Sequence, residues 1–197
     1  MCVILLGVPL RSDAARNRRA VLEAAQALVE RDGAERLRIG DVARHAGVGP
    51  GTVYRSFGSK RELLLGLVDD RERDLQDDLL RGAPPLGPGA TATERLLAFF
   101  DALHTHVVAQ RSVLAAADEA APMTRYATGA YAAWRTHVAL LVAELDPGAQ
   151  AAVLADLLLA PLSAGLQVHL VDERGVPARI VHAELMGLVE RVCRRSA

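Results

Sequence analysis

Residues 39–57 read IGDVARHAGVGPGTVYRSF. Between Ala46 and Phe57 stand three glycines and one proline, inside a chain dominated elsewhere by Ala, Leu, Val and Arg. A phosphate-cradling loop needs a strand before it, a helix after it and a Gly-Lys-Ser/Thr ending. Here the helix-patterned IGDVARHA comes first and that ending is missing. The stretch therefore reads as two short helices crossing at a tight turn. Ile39, Val42 and Ala43 bury the first helix, and Val48 plugs the core beneath the turn. Gly47 supplies the positive φ that the turn needs. Gly49 serves as N-cap and Pro50 as the first helical residue, where a missing N–H does no harm. Val53 and Phe57 then face inward, and Gly51, Thr52, Tyr54 and Arg55 face out. Small residues and a positive dipole end suit close approach to a phosphate backbone. Tyr54 reaches a phosphate or a thymine methyl, and Arg55 a guanine or a phosphate.

The rest of the chain fits an all-α protein. Apolar residues make up 51% of the 197, aromatics only 4%, and Ala and Leu supply most of the apolar count. These are strong helix formers. Net charge is -1, unevenly spread: residues 11–60 carry +4 and residues 61–197 carry -5. A basic N-terminal quarter on an acidic body points to a polyanion partner for the first part. Cys2 and Cys193 stand at opposite ends without metal spacing, which favours a reduced cytoplasmic protein with no disulfide, metal or cofactor. MCVILLGVPLRSD has too short an apolar run to span a bilayer. Residues 1–12 read as a disordered arm, or in part as an over-early start codon.

A first helix is expected over 16–31, ended by Gly33. Ser59-Lys60-Arg61-Glu62 is a capping box opening a long helix through Leu79, whose DDRERDLQDD run reads as a solvated face. GAPPLGPGAT, residues 82–91, is a linker. Helices are then expected over 93–110, 112–121, 124–144, 149–171 with a kink at Pro161, and 178–194.

Residues 16–62 resemble the DNA-binding domain of the TetR family of bacterial transcriptional regulators. The likeness is carried by R-x-x-x-L-x-A-A-x-x-L from Arg18 to Leu28, by Gly33 and by IGDVARHAGV from Ile39 to Val48. It continues as GTVYRSF from Gly51 to Phe57, then Ser59-Lys60-x-x-Leu63. The resemblance implies a helix-turn-helix domain over 13–58, a connecting helix over 59–81, and a helical ligand-binding and dimerisation bundle over 92–197. It implies that Gly51, Thr52 and Tyr54 lie on the recognition helix and that Lys60 contacts backbone phosphate. It also implies a homodimer formed by the segments 149–171 and 177–194, which reads a palindromic operator on double-stranded DNA as a repressor and is released by a small-molecule ligand. Three positions depart from the family pattern. Leu37-Arg38 stands where Thr or Ser caps the second helix, so Arg38 offers an ionic contact instead. Gly49 lacks a hydroxyl, and Pro50 replaces a base-reading side chain.

Arg16 and Arg18 read either as a DNA-facing arm or as a solvated helix start. Phe100, Leu103, His104, Met123, Tyr126, Tyr131, Trp134 and His137 either bound a ligand pocket or fill the core. His104 and His106 lie two apart and share no face, so they make no metal site. No nucleophile–base–orienter motif is present, so no enzyme is expected. A scaffold bundle with degenerate DNA binding is the alternative that the Gly49 and Pro50 departures leave open.

Overall fold

The computed structural model describes residues 10–121 and 123–194. Among them the chain is helical and contains no strand. It divides into two compact units, the first ending at Leu67 and the second beginning at Val68.

The first unit is a three-helix head plus the start of a fourth helix. Its elements are α1 (Leu10–Asp32), α2 (Ile39–His45), α3 (Pro50–Phe57) and α4 (Lys60–Arg81), the last crossing the unit boundary. α1 begins at Leu10, earlier than expected; residues 1–9 of the expected arm lie outside the described residues. Gly33 ends α1 at φ +90°, its N–H donating to Val29 O at 2.9 Å. Val21, Val42, Val53, Leu63 and Leu64 are fully buried. Each such side chain contributes about 1.5–3 kcal/mol of transfer free energy. In α4, Gly66 lets the helix come close, since a Cβ there would lie 3.2 Å from both Leu22 Cδ2 and Phe57 Cε1.

The second unit holds the end of α4, α5 (Ala92–Ala120), α6 (Gly129–Leu145), α7 (Ala151–Leu159), α8 (Ala164–Gln167) and α9 (Ala178–Arg194). α5 is its axis, packing against α6, α8 and α9, while α7 packs on α6. Leu96, Phe99, Phe100, Leu103, Val138 and Leu159 form the centre of the core.

Three helix expectations are corrected. The two helices expected over 93–110 and 112–121 are one, because nothing at Arg111-Ser112 breaks the ladder and Arg111 Nη1 donates to Val108 O at 2.7 Å. Its start is a capping box: Thr91 N donates to Glu94 Oε2 at 2.9 Å and Glu94 N to Thr91 Oγ1 at 3.3 Å. The helix expected over 124–144 is a 3-10 turn at Thr124–Ala127 followed by α6, since the Thr128 hydroxyl caps the Tyr131 N–H. The apolar run Ala151–Glu173, with mean hydropathy 1.7 over a length able to cross a membrane, is broken in the middle. A 3-10 turn at Ala160–Leu162 holds Pro161, Ser163 is extended, and the chain resumes as α8 and a π-helical stretch Val168–Glu173. The buried Gln167 amide donates to Pro161 O at 2.9 Å across the break.

Candidate nucleic-acid interface

The turn between α2 and α3 follows from its residues. Ala46 N donates to Val42 O and Val48 N to Ala43 O, both at 2.9 Å, and Gly47 sits at φ +67°. Gly49 is the N-cap at φ -73°, its carbonyl accepting from Thr52 N at 2.8 Å, and Pro50 is the first helical residue. Val53 and Phe57 are buried, so α3 cannot roll without emptying the head core. Gly51, Tyr54 and Arg55 are exposed, and Thr52 is half-buried. Tyr54 is 53% exposed, which places its phenol outside the core. The Arg55 Nη2 group donates to Thr52 Oγ1 at 3.1 Å, one turn back along the exposed face.

The flanking residues differ in how free they are. Arg38 occupies the N-cap of α2, makes no side-chain cap and is exposed. Lys60 opens α4, and its ammonium donates to Glu35 O at 3.2 Å. Ser59 Oγ caps the Glu62 N–H at 3.1 Å. Arg16 is exposed on α1. Arg18 is exposed on α1 but engaged with α3: its Nη1 donates to Ser56 O at 3.0 Å and its guanidinium lies 4.2 Å from the Phe57 ring centroid. Arg61, which sequence reasoning passed over as part of the capping box, is buried.

The expected pocket residues take different places in the second unit. Phe100 and Leu103 are fully buried core, with Phe100 edge-on to Phe99 at 5.4 Å. Met123 is 77% exposed and Tyr126 52% exposed. Tyr126 and Tyr131 meet edge-on at 5.1 Å, with the Arg125 guanidinium over both rings. Tyr131 donates to Asp156 Oδ1 at 2.8 Å; burial, then that bond, push its hydroxyl up to about 12. The Arg135 guanidinium beside Asp156 holds that carboxyl below its ordinary value.

The histidines sort by face, as their spacing requires. His104 is buried towards α9, its ring 5.0 Å from His182, and His182 Nε2 lies 2.7 Å from Asp101 Oδ1. Together with Thr105, Val108 and Arg111 these groups line an open groove of about 440 Å³. His106 turns the other way, its Nε2 3.5 Å from Glu72 Oε2. Glu72 corrects the sequence reading: within the DDRERDLQDD run Asp74, Asp77 and Asp78 are exposed, but Glu72 is turned inward, its side chain 12% exposed. Its interval from Leu75 and Leu79, three and seven residues, was the signal that it shares their buried face. His137 lies 5.1 Å from Phe99.

Among the described residues a helix-turn-helix head thus precedes a separate helical unit. Residues 21–67 match the family model described as bacterial regulatory proteins, tetR family, and the head is a TetR-family domain. Over 66 residues the chain is 35% identical to an HTH-type transcriptional regulator of Staphylococcus aureus (strain bovine RF122 / ET3-1), an alignment covering 34% of each protein. The chain thus spans about a third of the length of the curated relatives it matches. Two solved structures carry the likeness over the whole fold. One, described as a TetR-family transcriptional regulator from Syntrophomonas wolfei, has a TM-score of 0.67 at 14% identity, covering 91% of this chain and 95% of that one. The other, described as a transcriptional regulator from Saccharomonospora viridis in complex with choline, has a TM-score of 0.60 at 23% identity, covering 89% and 96%.

Proposed function

We propose that this chain is a sequence-specific DNA-binding transcriptional regulator, a homodimeric cytoplasmic repressor released from a palindromic operator by a small-molecule ligand. The observation that carries the reading is the outward face of α3. Gly51, Thr52, Tyr54 and Arg55 stand on a short helix locked from behind by Val53 and Phe57. Arg16, Arg38, Gly49, Pro50 and Lys60 flank it as phosphate or backbone contacts. A dimer is supported by apolar side chains left in solvent: Val153 and Leu157 on α7, Leu166 on α8, Ile180 and Leu188 on α9. Isolated exposed apolar residues are ordinary, but five on three consecutive helices supply apolar area that a second copy could cover. Two heads about one helical turn apart then read a two-fold site. Ligand control is supported by the choline-bound neighbour and by the polar groups held inside the second unit. Ligand and operator then oppose each other reciprocally.

The test is fluorescence anisotropy on the DNA flanking the gene, at two salt concentrations, against scrambled DNA and a Tyr54→Ala, Lys60→Ala double variant. Tight, salt-sensitive binding to the flanking DNA alone, lost in the variant, is the expected result. Equal weak binding to both DNAs, repeated across a genome-wide selection, would favour the scaffold with a degenerate head, which the bare Gly49–Gly51 backbone permits.

A further inference from the structure

We propose that Arg18 is a positioning residue of the recognition helix, latching the C-terminal end of α3 to α1, rather than a phosphate contact. This rests on the DNA-binding reading above.

A helix of eight residues is marginal by itself and must be held at both ends. The turn at Gly47–Gly49 holds the N-terminal end of α3. At the other end, Tyr54 O accepts from Gly58 N at 2.7 Å. The Ser56 carbonyl is among the last four of the helix, which have no partner inside it. Arg18 supplies that partner at 3.0 Å, coming from another helix. The same guanidinium lies 4.2 Å from the Phe57 ring centroid, so it is clamped to the one aromatic anchor of α3. A cation at this position also complements the negative end of the helix dipole. The three interactions use the fork and the flat face of a guanidinium together, a combination that lysine lacks. The side chain stays exposed to solvent, but its guanidinium lies across the end of α3, and the outward groups of α3 depend on it for their angle.

The test compares wild type, Arg18→Lys and Arg18→Met, all full length. Operator and scrambled-DNA affinities are measured across a salt series, and amide exchange is followed at residues 54–58 without DNA, with far-ultraviolet ellipticity as the folding control. A latch predicts that both variants keep the wild-type salt slope and lose about tenfold in preference for operator over scrambled DNA. It also predicts faster exchange at residues 54–58 in the free protein. A phosphate contact predicts that Arg18→Met lowers the slope by about one and that Arg18→Lys restores it, with exchange unchanged; that pattern overturns the proposal. If wild type shows no preferred DNA, the regulator reading fails, while the exchange result still decides the latch. Unchanged exchange at residues 54–58 in both variants overturns the latch on its own.

Discussion

The indole N–H of Trp134 on α6 donates to Glu72 Oε1 on α4 at 3.1 Å. The same oxygen accepts from Gln76 Nε2 at 2.7 Å, and His106 of α5 lies beside the other. One carboxylate thus joins three helices in the second unit. Burial pushes Glu72 up to about 6, although the Gln76 and Trp134 bonds pull it down.

That shift sets a direction. A carboxyl that ionises less readily when folded binds its proton more tightly in the native state. Its contribution to stability is complete below the unfolded value of 4.5 and is lost as pH rises through about 6. At pH 7.5 the buried charge costs about 2 kcal/mol. Glu72→Gln is therefore expected to raise the urea midpoint at pH 7.5, with the difference from wild type vanishing near pH 4.5. A variant less stable than wild type at pH 7.5 contradicts this.

His137 works in the opposite sense. Burial first, and the Arg95 charge second, push it down to about 4. The fold prefers the neutral ring, so its stabilising contribution is present above the unfolded value of 6.5 and is lost as pH falls towards about 4. Histidine proton NMR should show one imidazole that stays neutral at pH 5, absent in His137→Leu. That variant should also lose less stability than wild type between pH 6.5 and 4.5.

The turn glycines make a matched pair. Gly47 has open space around it but sits at φ +67°, so Gly47→Ala should cost about 1 kcal/mol from backbone strain alone. Gly49 has equal space at φ -73°, and Gly49→Ser should stabilise by a few tenths of a kcal/mol through the cap it adds. Thermal unfolding of the two variants should move in opposite directions.

Phe99 is fully buried between Phe100 and His137. Phe99→Ala should cost about 3–5 kcal/mol, the usual price of a large core cavity. Denaturant unfolding reads this directly, and a loss below 1 kcal/mol would mean that the core collapses to fill the space.

Val153 and Leu157 lie one turn apart on α7, 55% and 63% exposed. If this face meets a second copy, Val153→Glu with Leu157→Glu should shift the sedimentation mass from dimer to monomer without loss of ellipticity. An unchanged dimer mass moves the interface elsewhere.

The head was legible in the linear order because its rules are local. Gly33, Gly47, Gly49 and Pro50 mark where helices stop and start, and Val53 with Phe57 marks the inner face four residues apart. These are backbone and periodicity constraints, which adjacent residues alone satisfy. Local rules also held at α9, and Pro161 marked the place of the break in the preceding apolar run, though not its extent. Two cap signals were equally local and passed unread: Thr91 with Glu94, and Thr128 ahead of α6. The roles of charged groups were not local. Arg18 lies against α3, while still exposed, because Ser56 and Phe57, almost forty residues on, present a carbonyl and a ring to it. Glu72 is buried because Trp134 and His106 arrive from α6 and α5. Order along the chain sets which residues form helices and which face is apolar. Only packing decides which polar group on the edge of that face is sealed from water, because that depends on partners that sequence distance does not reveal.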